Sequence, residues 1–440
     1  MSIFSEISRI EQAKADLKTQ IQGKGGTVGS GTIDTYDLAV QSIPASYASK
    51  YISFLMYDGT EQEFAADIAG IDTSQVKHIC GIYWNPNWTP TQYTSTPASV
   101  TINWNTPYLV DTSDMFACPD RRSYNTTNLN ALPEIIITHL DTQRVTNMKG
   151  MFRGCYKITS LDLRNIHFGN STIDMGSMFM GCSDLVSVQF NSSDMAKPTD
   201  LSYFCSSCQK LETINMDSWD FTNVTNMQSM FNNCKKLTAI PNGANLFTNA
   251  CENYGSAFEN CQVITSVSSV GSIHSTPIKN MYNMFSGCTA LTTVNLPGFT
   301  AYGNCSYSSM FKGCTALTNV TLSNWDTSSA QSFADMFLNC SSLMSLDLRS
   351  FTVRVGGSFS SVKGMFNGCT NLTHLDLRSF RFDRIPNSAY PLQMFGSSSG
   401  AVTIPTNCEI IVEDATQKTW LTTNYPTLTN VKTVAEYEAQ

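Results

Sequence analysis

Apolar positions recur along residues 148–380 at intervals of 26 to 29 residues, and nine cysteines mark the interval. These cysteines are Cys155, Cys182, Cys208, Cys234, Cys261, Cys288, Cys314, Cys340 and Cys369. Self-similarity of this kind is typical of proteins built from stacked repeats, in which each unit contacts only its neighbours. The pattern therefore predicts one elongated stack of similar units across most of the chain.

The residues before each cysteine have helical spacing. Met148, Met151, Phe152 and Cys155 lie at i, i+3, i+4 and i+7, which places all four on one face of a two-turn helix. Gly154 precedes the cysteine, and Gly, Asn or Ser stands at this position in every copy. Since Gly and Asn tolerate the left-handed backbone that ends many helices, each unit is predicted to contain one short helix with its stop.

The residues after each cysteine follow the pattern Cys-x-x-Leu-x-x-Leu-x-Leu, as in CSSLMSLDL from Cys340. The final alternation of apolar and polar positions predicts a short strand with one buried face. A further apolar column lies eleven residues beyond the cysteine, as at Trp325 and Phe351. One unit cannot bury its apolar face alone, so the predicted fold class is an α/β repeat solenoid with one strand and one helix per coil.

The segments NNCKKLTAI, GCTALTNVTLSNWDTSS and NCSSLMSLDLRSF resemble the BspA-like leucine-rich repeats, in the variety of about 26 residues. The resemblance covers about residues 130–400, and many columns agree at once. It implies a solenoid that displays a surface, and the family carries no catalytic residues to transfer.

The N-terminal segment predicts an amphipathic helix. Ile3, Ile7, Ile10, Leu17 and Ile21 alternate spacings of four and three residues, with Lys14 interrupting, which favours a coiled-coil seam between copies of the chain. A lone helix docked on its own protein is the alternative. The seam predicts a homo-oligomer, with a trimer favoured.

Residues 8–43 resemble a segment common in phage tail and baseplate proteins, where a helix precedes a KG-x-TV turn and a second short helix. The resemblance implies attachment to other virion proteins. The predicted organisation is an N-terminal coiled-coil helix (1–22), a Gly-rich turn with a short helix (23–50), a small β-rich connector (51–112), the solenoid (113–405) and a C-terminal cap (406–440).

Composition narrows the choice of partners. Charged residues are only 14% of the 440 residues, and the net charge of −8 comes with no basic block, which argues against nucleic acid as a partner. Apolar runs stay short of the roughly 20 residues that span a bilayer, so no membrane insertion is expected. The first residues lack the pattern of a signal peptide, which argues against general secretion.

The fifteen cysteines leave three interpretations open: buried structural thiols, disulfides between coils, or metal ligands. Structural thiols are favoured, because the only C-x-x-C pair, Cys205 and Cys208, is explained by the repeat itself. The five histidines lack metal-ligand spacing. No metal, cofactor or catalytic residue is predicted, and the protein is not expected to be an enzyme.

One recurrent outward position carries a possible ligand-facing strip. Asp stands there in three coils and Arg follows two residues later, with a histidine beside the last pair; the residues are Asp162, Arg164, Asp347, Arg349, His374, Asp376 and Arg378. Cross-strand salt bridges on a solvated sheet are the favoured alternative.

These patterns together predict a non-enzymatic phage virion protein, assembled in the host cytoplasm. It would be a tail fibre or similar receptor-binding appendage that offers its solenoid to a host-surface glycan or protein. Two alternatives stay open: a bacterial cell-surface adhesin of the BspA-like kind, and a structural collar, baseplate or head-fibre component without a receptor.

Overall fold

The computed structural model describes residues 51–56, 61–65, 76–83, 100–104, 109–117, 135–241, 246–247, 250–268, 278–353, 361–385, 393–396 and 401–440. The predicted coiled coil, its seam from Ile3 to Ile21 and the second short helix all lie outside these residues.

A three-stranded antiparallel sheet comes first, inside the predicted β-rich connector. Its strands are β1 (Tyr51–Met56), β2 (Glu61–Ala65) and β3 (Val76–Tyr83), in the order β2-β1-β3. The next strand, β4 (Val100–Trp104), pairs in parallel with β5 (Ile135–Leu140). Parallel pairing therefore begins before residue 113, where the sequence placed the start of the solenoid.

The repeat region is a parallel β-solenoid. Its strands are β6 (Ser160–Leu163), β7 (Ile173–Asp174), β8 (Ser187–Phe190), β9 (Pro198–Asp200), β10 (Thr213–Ile214), β11 (Ser266–Ser268), β12 (Ile278–Asn280), β13 (Thr293–Asn295), β14 (Ala301–Ser306), β15 (Asn319–Thr321), β16 (Ala330–Ser332), β17 (Ser345–Asp347) and β18 (His374–Asp376). The predicted strand is confirmed after eight of the nine repeat cysteines, whereas residues 235–241, directly after Cys234, form no strand. In β6, Leu161 and Leu163 are buried, and Ser160 and Asp162 face outward.

The strands lie on two faces of the solenoid. The first face holds the strands that follow the cysteines, in the ladders β10-β8-β6, β11-β13-β15 and β17-β18. The second face holds β7-β9 and β12-β14-β16. Each of these strands ends directly before a buried apolar or aromatic residue, such as Met175 after β7 and Met281 after β12. Since equivalent residues pair from coil to coil, as Val267 does with Val294 and Val294 with Val320, each coil repeats the outward positions of the one below.

The predicted two-turn helix before each cysteine is wrong. Its residues form successive turns, in which Met151 donates its N–H to Met148 O three residues back while Phe152 donates to Met178 O of the next coil. An α-helix would send both bonds four residues back along the same segment. The cause is a residue with positive φ at Gly150 (φ 64°), inside the segment that the apolar spacing predicted to be helical.

The predicted left-handed stop before each cysteine is confirmed. The residues at this position have φ between 60° and 80°: Gly154, Gly181, Ser207, Asn233, Asn260, Gly287, Gly313, Asn339 and Gly368. The chain thus reverses direction at the same point in every coil, and the cysteine that follows always faces the interior.

A column of Asp, Asn and Ser residues opens the turns. Each side chain accepts the backbone N–H two residues later, in the manner of an Asx turn. Its members are Asp111, Asn147, Asp174, Asp200, Asn226, Asn253, Asn280, Ser306, Ser332 and Ser361. The column holds the second face in register with the turns.

The core consists of stacked columns of identical side chains, as the repeat predicted. Phe258, Phe285 and Phe311 stack with ring centroids 5.5 and 5.7 Å apart and interplanar angles of 7°. Cys205 interrupts this column, and the adjacent Phe204 meets Phe179 edge-on instead. Because nearly every coil contributes a buried ring at the same position, and Phe204 supplies one beside the exception, the core is continuous along the solenoid.

A strand-helix-strand element follows the last repeat. It consists of β19 (Glu409–Val412), α1 (Ala415–Asn424), β20 (Val431–Thr433) and α2 (Val434–Glu438), and its strands extend the first face in the order β17-β18-β19-β20. The described residues also include two 3-10 helices, Phe221–Asn223 and Phe382–Arg384. Trp420 of α1 stacks on Phe382 at 5.4 Å, so the element packs over the end of the core.

Helices long and apolar enough to cross a membrane do not occur among the residues that the structure describes.

Candidate functional site

The outward Asp and Arg residues of the predicted strip pair with each other locally, at the ends of their strands. Asp347 accepts the backbone N–H of Arg349 at 3.0 Å and its guanidinium Nε at 3.0 Å. Asp162 binds Arg164 in the same way, at 3.1 and 2.9 Å. The favoured alternative in the sequence was pairing across strands, but most of these contacts join residues two positions apart because the chain turns at the arginine.

The structure brings together only part of the predicted strip. Asp347 lies opposite Asp376 on adjacent strands, and Arg349 Nη2 approaches Asp376 Oδ2 at 3.7 Å. His374 and Arg378 belong to the same patch, at either end of β18. Asp162 lies on β6 and Arg164 follows that strand directly, many coils away from this patch. On the neighbouring strand, Gln189 lies opposite Asp162.

The two ends of the strip also differ in burial. The Asp376 side chain is 3% exposed and binds the Arg378 guanidinium through both oxygens at 2.7–3.1 Å, whereas the Asp162 side chain is 55% exposed. The carboxylate beside Arg378 raises the pKa of that guanidinium further. The same Asp-x-Arg motif is therefore a solvated pair in one coil and a nearly buried one in another.

A second set of charged residues, on the capping strands β19 and β20, lies beside the patch formed by Asp347, His374 and Asp376. Glu409 accepts from Lys432 Nζ at 2.6 Å and lies 2.9 Å from His374 Nδ1. Lys432, and then His374, hold the pKa of the Glu409 carboxyl below its usual value. The His374 ring also lies 5.9 Å from that of Tyr437. These contacts tie β18, β19 and β20 together.

Glu409 is expected to make the stability of the cap depend on pH. Because the pKa of Glu409 is lower in the folded protein than its usual 4.5, its contribution is complete above about pH 4.5 and is lost as the pH falls through the folded value. The protection of the β20 amides, measured relative to the intrinsic exchange rate at each pH, should therefore fall between about pH 4.5 and about pH 3. The Glu409→Gln variant should lack this loss of protection, and Glu413→Gln should keep it. If the wild type, Glu409→Gln and Glu413→Gln showed the same pH dependence, Glu409 would not be its cause.

A groove that the sequence did not predict lies beside the cysteine column. We call it the lysine groove, and it is formed by the two residues that follow each of four consecutive cysteines. Its residues are Ser183, Asp184, Gln209, Lys210, Lys235, Lys236, Gln262 and Val263, and its volume is 460 Å³. These positions vary between coils, so they form no column in the sequence; the available signal was the clustering of lysines at them.

Lysines outnumber carboxylates in the lysine groove. Lys210 Nζ lies 2.7 Å from Asp184, and Lys157 of the preceding coil lies 3.7 Å from the same carboxylate. Lys210 above all holds the pKa of Asp184 below its usual value. Lys235 and Lys236 have no carboxylate within ion-pairing distance among the described residues. The groove thus presents excess positive charge on a protein with a net charge of −8.

The cysteine column is buried and hydrogen-bonded. Cys288 Sγ donates to the carbonyl oxygen of Phe258 at 3.1 Å, and Cys314 makes the equivalent bond to Phe285 at 3.1 Å. Burial raises the pKa of Cys288 to about 12. The described cysteines are free thiols. This arrangement agrees with the favoured interpretation of structural thiols, each of which links one coil to the coil before it.

These thiols are expected to resist alkylation in the folded protein. In a protein carrying Cys80→Ser and Cys118→Ser, all the remaining cysteines are buried. At about pH 8 iodoacetamide should modify it slowly, because thiolates react and burial disfavours them. In denaturant every remaining thiol should react, as counted by mass spectrometry. Rapid modification of Cys288 in the native protein would contradict the buried column.

The family model described as "Mycoplasma protein of unknown function, DUF285" matches residues 53–160, 91–212, 164–270 and 279–399. The match covers well over half of the chain and supports the BspA-like repeat assignment. No curated protein sequence matches the chain.

Three solved structures are similar to the chain at low identity. A leucine-rich repeat protein from Eubacterium ventriosum aligns with 60% of this chain and 90% of its own, at 15% identity and a TM-score of 0.26. The pneumococcal vaccine antigen PcpA aligns with 84% of this chain and 96% of its own, at 12% identity and a TM-score of 0.26. The TLR13–ssRNA13 complex aligns with 76% of this chain and 53% of its own, at 14% identity and a TM-score of 0.21.

Proposed function

The chain belongs to the family described as Mycoplasma protein of unknown function, DUF285, and from this membership we propose that it is a non-enzymatic display protein. Its solenoid offers the outward side chains of consecutive coils to a glycan or protein on a cell surface. The observation that carries the proposal is the difference between the inward and outward positions of each coil. The apolar residues and thiols face inward in every coil, while the outward positions change from coil to coil.

Several of the reactive side chains that the structure describes already have structural partners, which supports a binding role over catalysis. The ladder cysteines are buried and donate to carbonyl groups. His167 pairs with Asp194 at 2.8 Å, and His374 pairs with Glu409. Asp376 is occupied by Arg378. A substrate would have to break these contacts before any of the groups could act as a nucleophile or base.

The favoured carrier of this display surface is a phage tail fibre or similar virion appendage. The proposal rests on the resemblance of residues 8–43 to tail and baseplate segments, with Ile3, Ile7, Ile10, Leu17 and Ile21 as the seam of a trimer. The second candidate is a bacterial cell-surface adhesin, which family membership favours because such repeat proteins are compatible with surface display.

Immunogold imaging separates the two carriers. An antibody against the full chain would be applied to cells that carry the gene and to particles induced from them. Gold on particle appendages in multiples of three supports the trimeric virion protein. Gold confined to the cell envelope supports the adhesin and ends the virion proposal.

A binding assay tests display itself. Fluorescently labelled full-length protein should bind candidate host cells saturably, and excess unlabelled protein should displace it or block phage adsorption. A labelled protein that binds no cell and leaves adsorption unchanged would leave only a structural collar, baseplate or head-fibre role.

A further inference from the structure

The geometry points to the lysine groove as a binding site for an anionic polysaccharide, one with carboxylate, sulfate or phosphate groups spaced along the chain. The inference rests on the proposed display function and names the class of its ligand. The observation behind it is the accumulation of lysines on neighbouring coils of an otherwise acidic protein.

The charges of the lysine groove are arranged along the solenoid axis. Lys210 follows Cys208, and Lys235 and Lys236 follow Cys234 of the next coil, so the ammonium groups lie on adjacent levels. Strands in parallel sheets are about 4.8 Å apart, and Lys157, two coils before Lys210, lies about 10 Å further along. A polymer with anions at intervals of about 5 to 10 Å could therefore meet several lysines at once.

One carboxylate organises part of this surface. Asp184 holds Lys210 at 2.7 Å and Lys157 at 3.7 Å, which keeps both side chains at the edge of the groove. Lys236 is exposed and Lys235 is half-buried. Because no described carboxylate neutralises Lys235 or Lys236, they are the groups most able to bind an incoming anion.

The uncharged lining favours a carbohydrate. Gln209 and Gln262 carry amides that both donate and accept, and Ser183 adds a hydroxyl, so the groove can hydrogen-bond sugar hydroxyls between the charges. Single-stranded nucleic acid binds through stacking on aromatic rings, which the lining lacks. A protein partner would need an apolar pocket for an anchoring side chain, and the lining offers only Val263 as a large apolar residue.

The same surface in the following coils provides an internal contrast. The residues after Cys288, Cys314 and Cys340 are Thr289, Thr315 and Ser341, each followed by an uncharged residue. Their hydroxyls donate to carbonyl groups of the preceding coil at 3.4 Å. Positive charge is thus confined to one half of this surface, so the fold itself does not require it.

The test measures binding of full-length protein to immobilised dextran sulfate, with unsulfated dextran as the neutral control. The wild-type protein should bind only the sulfated polymer and should dissociate at about 0.5 M salt, where surface charges are screened. The K235E/K236E variant should bind the sulfated polymer at least about tenfold more weakly, because two positive charges are replaced by negative ones. A tenfold change corresponds to 1.4 kcal/mol. Circular dichroism should confirm that the variant is folded.

A matched variant, K149E/K312E, makes the same change in net charge at two exposed lysines outside the groove and should bind within twofold of the wild type. Equal loss in both variants, or no loss in K235E/K236E, would overturn the inference. Tighter binding of an oligonucleotide than of every polysaccharide would also overturn it. Alginate and polyglycerol phosphate, tested alongside, identify whether carboxylate or phosphate replaces sulfate best.

Cell binding distinguishes this inference from the proposed function. Wild-type protein that binds no cells rejects the display function, whatever the polysaccharide result. If the wild type and K235E/K236E bind cells equally well, display stands and the lysine groove is rejected as its site. If K235E/K236E loses both cell binding and dextran sulfate binding while K149E/K312E keeps them, the result supports the display function and the lysine groove as its site.

Discussion

Replacing Phe285 by Ala is expected to lower the free energy of unfolding by about 4 kcal/mol, because deleting a buried benzyl group removes apolar burial and leaves a cavity. Phe285 is 1% exposed and its ring is stacked between Phe258 and Phe311. The carbonyl group of Phe285 also accepts from Cys314, so the neighbouring backbone cannot close the cavity without disturbing the thiol column.

Urea denaturation of the full chain measures this loss, and hydrogen exchange locates it. Because each coil contacts only its neighbours, faster exchange should be concentrated in the coils around Phe258 and Phe311. Met344→Ala is the matched control, since this side chain is 56% exposed and its truncation should change stability by under about 0.5 kcal/mol. A loss below about 1 kcal/mol for Phe285→Ala would contradict the tightly packed column.

Replacing Asp376 by Ala is expected to cost about 3 kcal/mol, because removing one partner of a buried ion pair leaves the other charge poorly solvated. Arg378 would lose a bidentate contact, and Arg349 would lose its cross-strand neighbour. Glu438, 3.8 Å from Arg378 Nη1, replaces only part of that interaction.

The matched control is Asp162→Ala, which removes the same motif where both side chains are more than half exposed. Solvent screens this pair, so no measurable loss of stability is expected. Thermal and urea denaturation of both variants provide the comparison. Equal losses would mean that burial does not distinguish the two pairs. If Asp376→Ala kept normal stability but lost cell binding, Asp376 would have a ligand-binding role and not a structural one.

The columns and strands of the solenoid could be predicted from the sequence because they depend on identity at a fixed spacing. Phe152 and Cys155 are repeated at the next interval as Phe179 and Cys182, and Leu161 is followed there by another apolar residue, Val188. A position that stays apolar from unit to unit in a stack must face its own counterpart. The structure buries all of these residues. The residue before each cysteine was likewise predicted from its tolerance of positive φ.

The helix could not be distinguished from a series of turns by spacing alone. Met148, Met151, Phe152 and Cys155 are buried in either conformation, so the apolar periodicity is the same. What decides the conformation is the residue two before the phenylalanine, which has positive φ at Gly150, Ser177 and other equivalent positions. Small and turn-forming residues at that column were the signal, and they outweigh an apolar pattern of only two turns.

The candidate sites depended on distances that the sequence does not contain. The recurrence of Asp-x-Arg was visible, but its separation into an exposed pair at Asp162 and a buried one at Asp376 follows from the capping element. The lysine groove was missed because its residues share a place in the coil without sharing a residue type. Variable outward positions are where one coil differs chemically from the next.

The hydrogen bonds from each thiol to the coil before it have a consequence for how such a gene can change. Phe258, Phe285 and Phe311 offer equivalent carbonyl oxygens to equivalent cysteines. Recombination that removes or duplicates one whole period therefore joins surfaces that already fit, and a descendant can become shorter or longer without new core residues. The length of the solenoid and the number of its outward side-chain positions can then vary between lineages while the packing of the core stays the same.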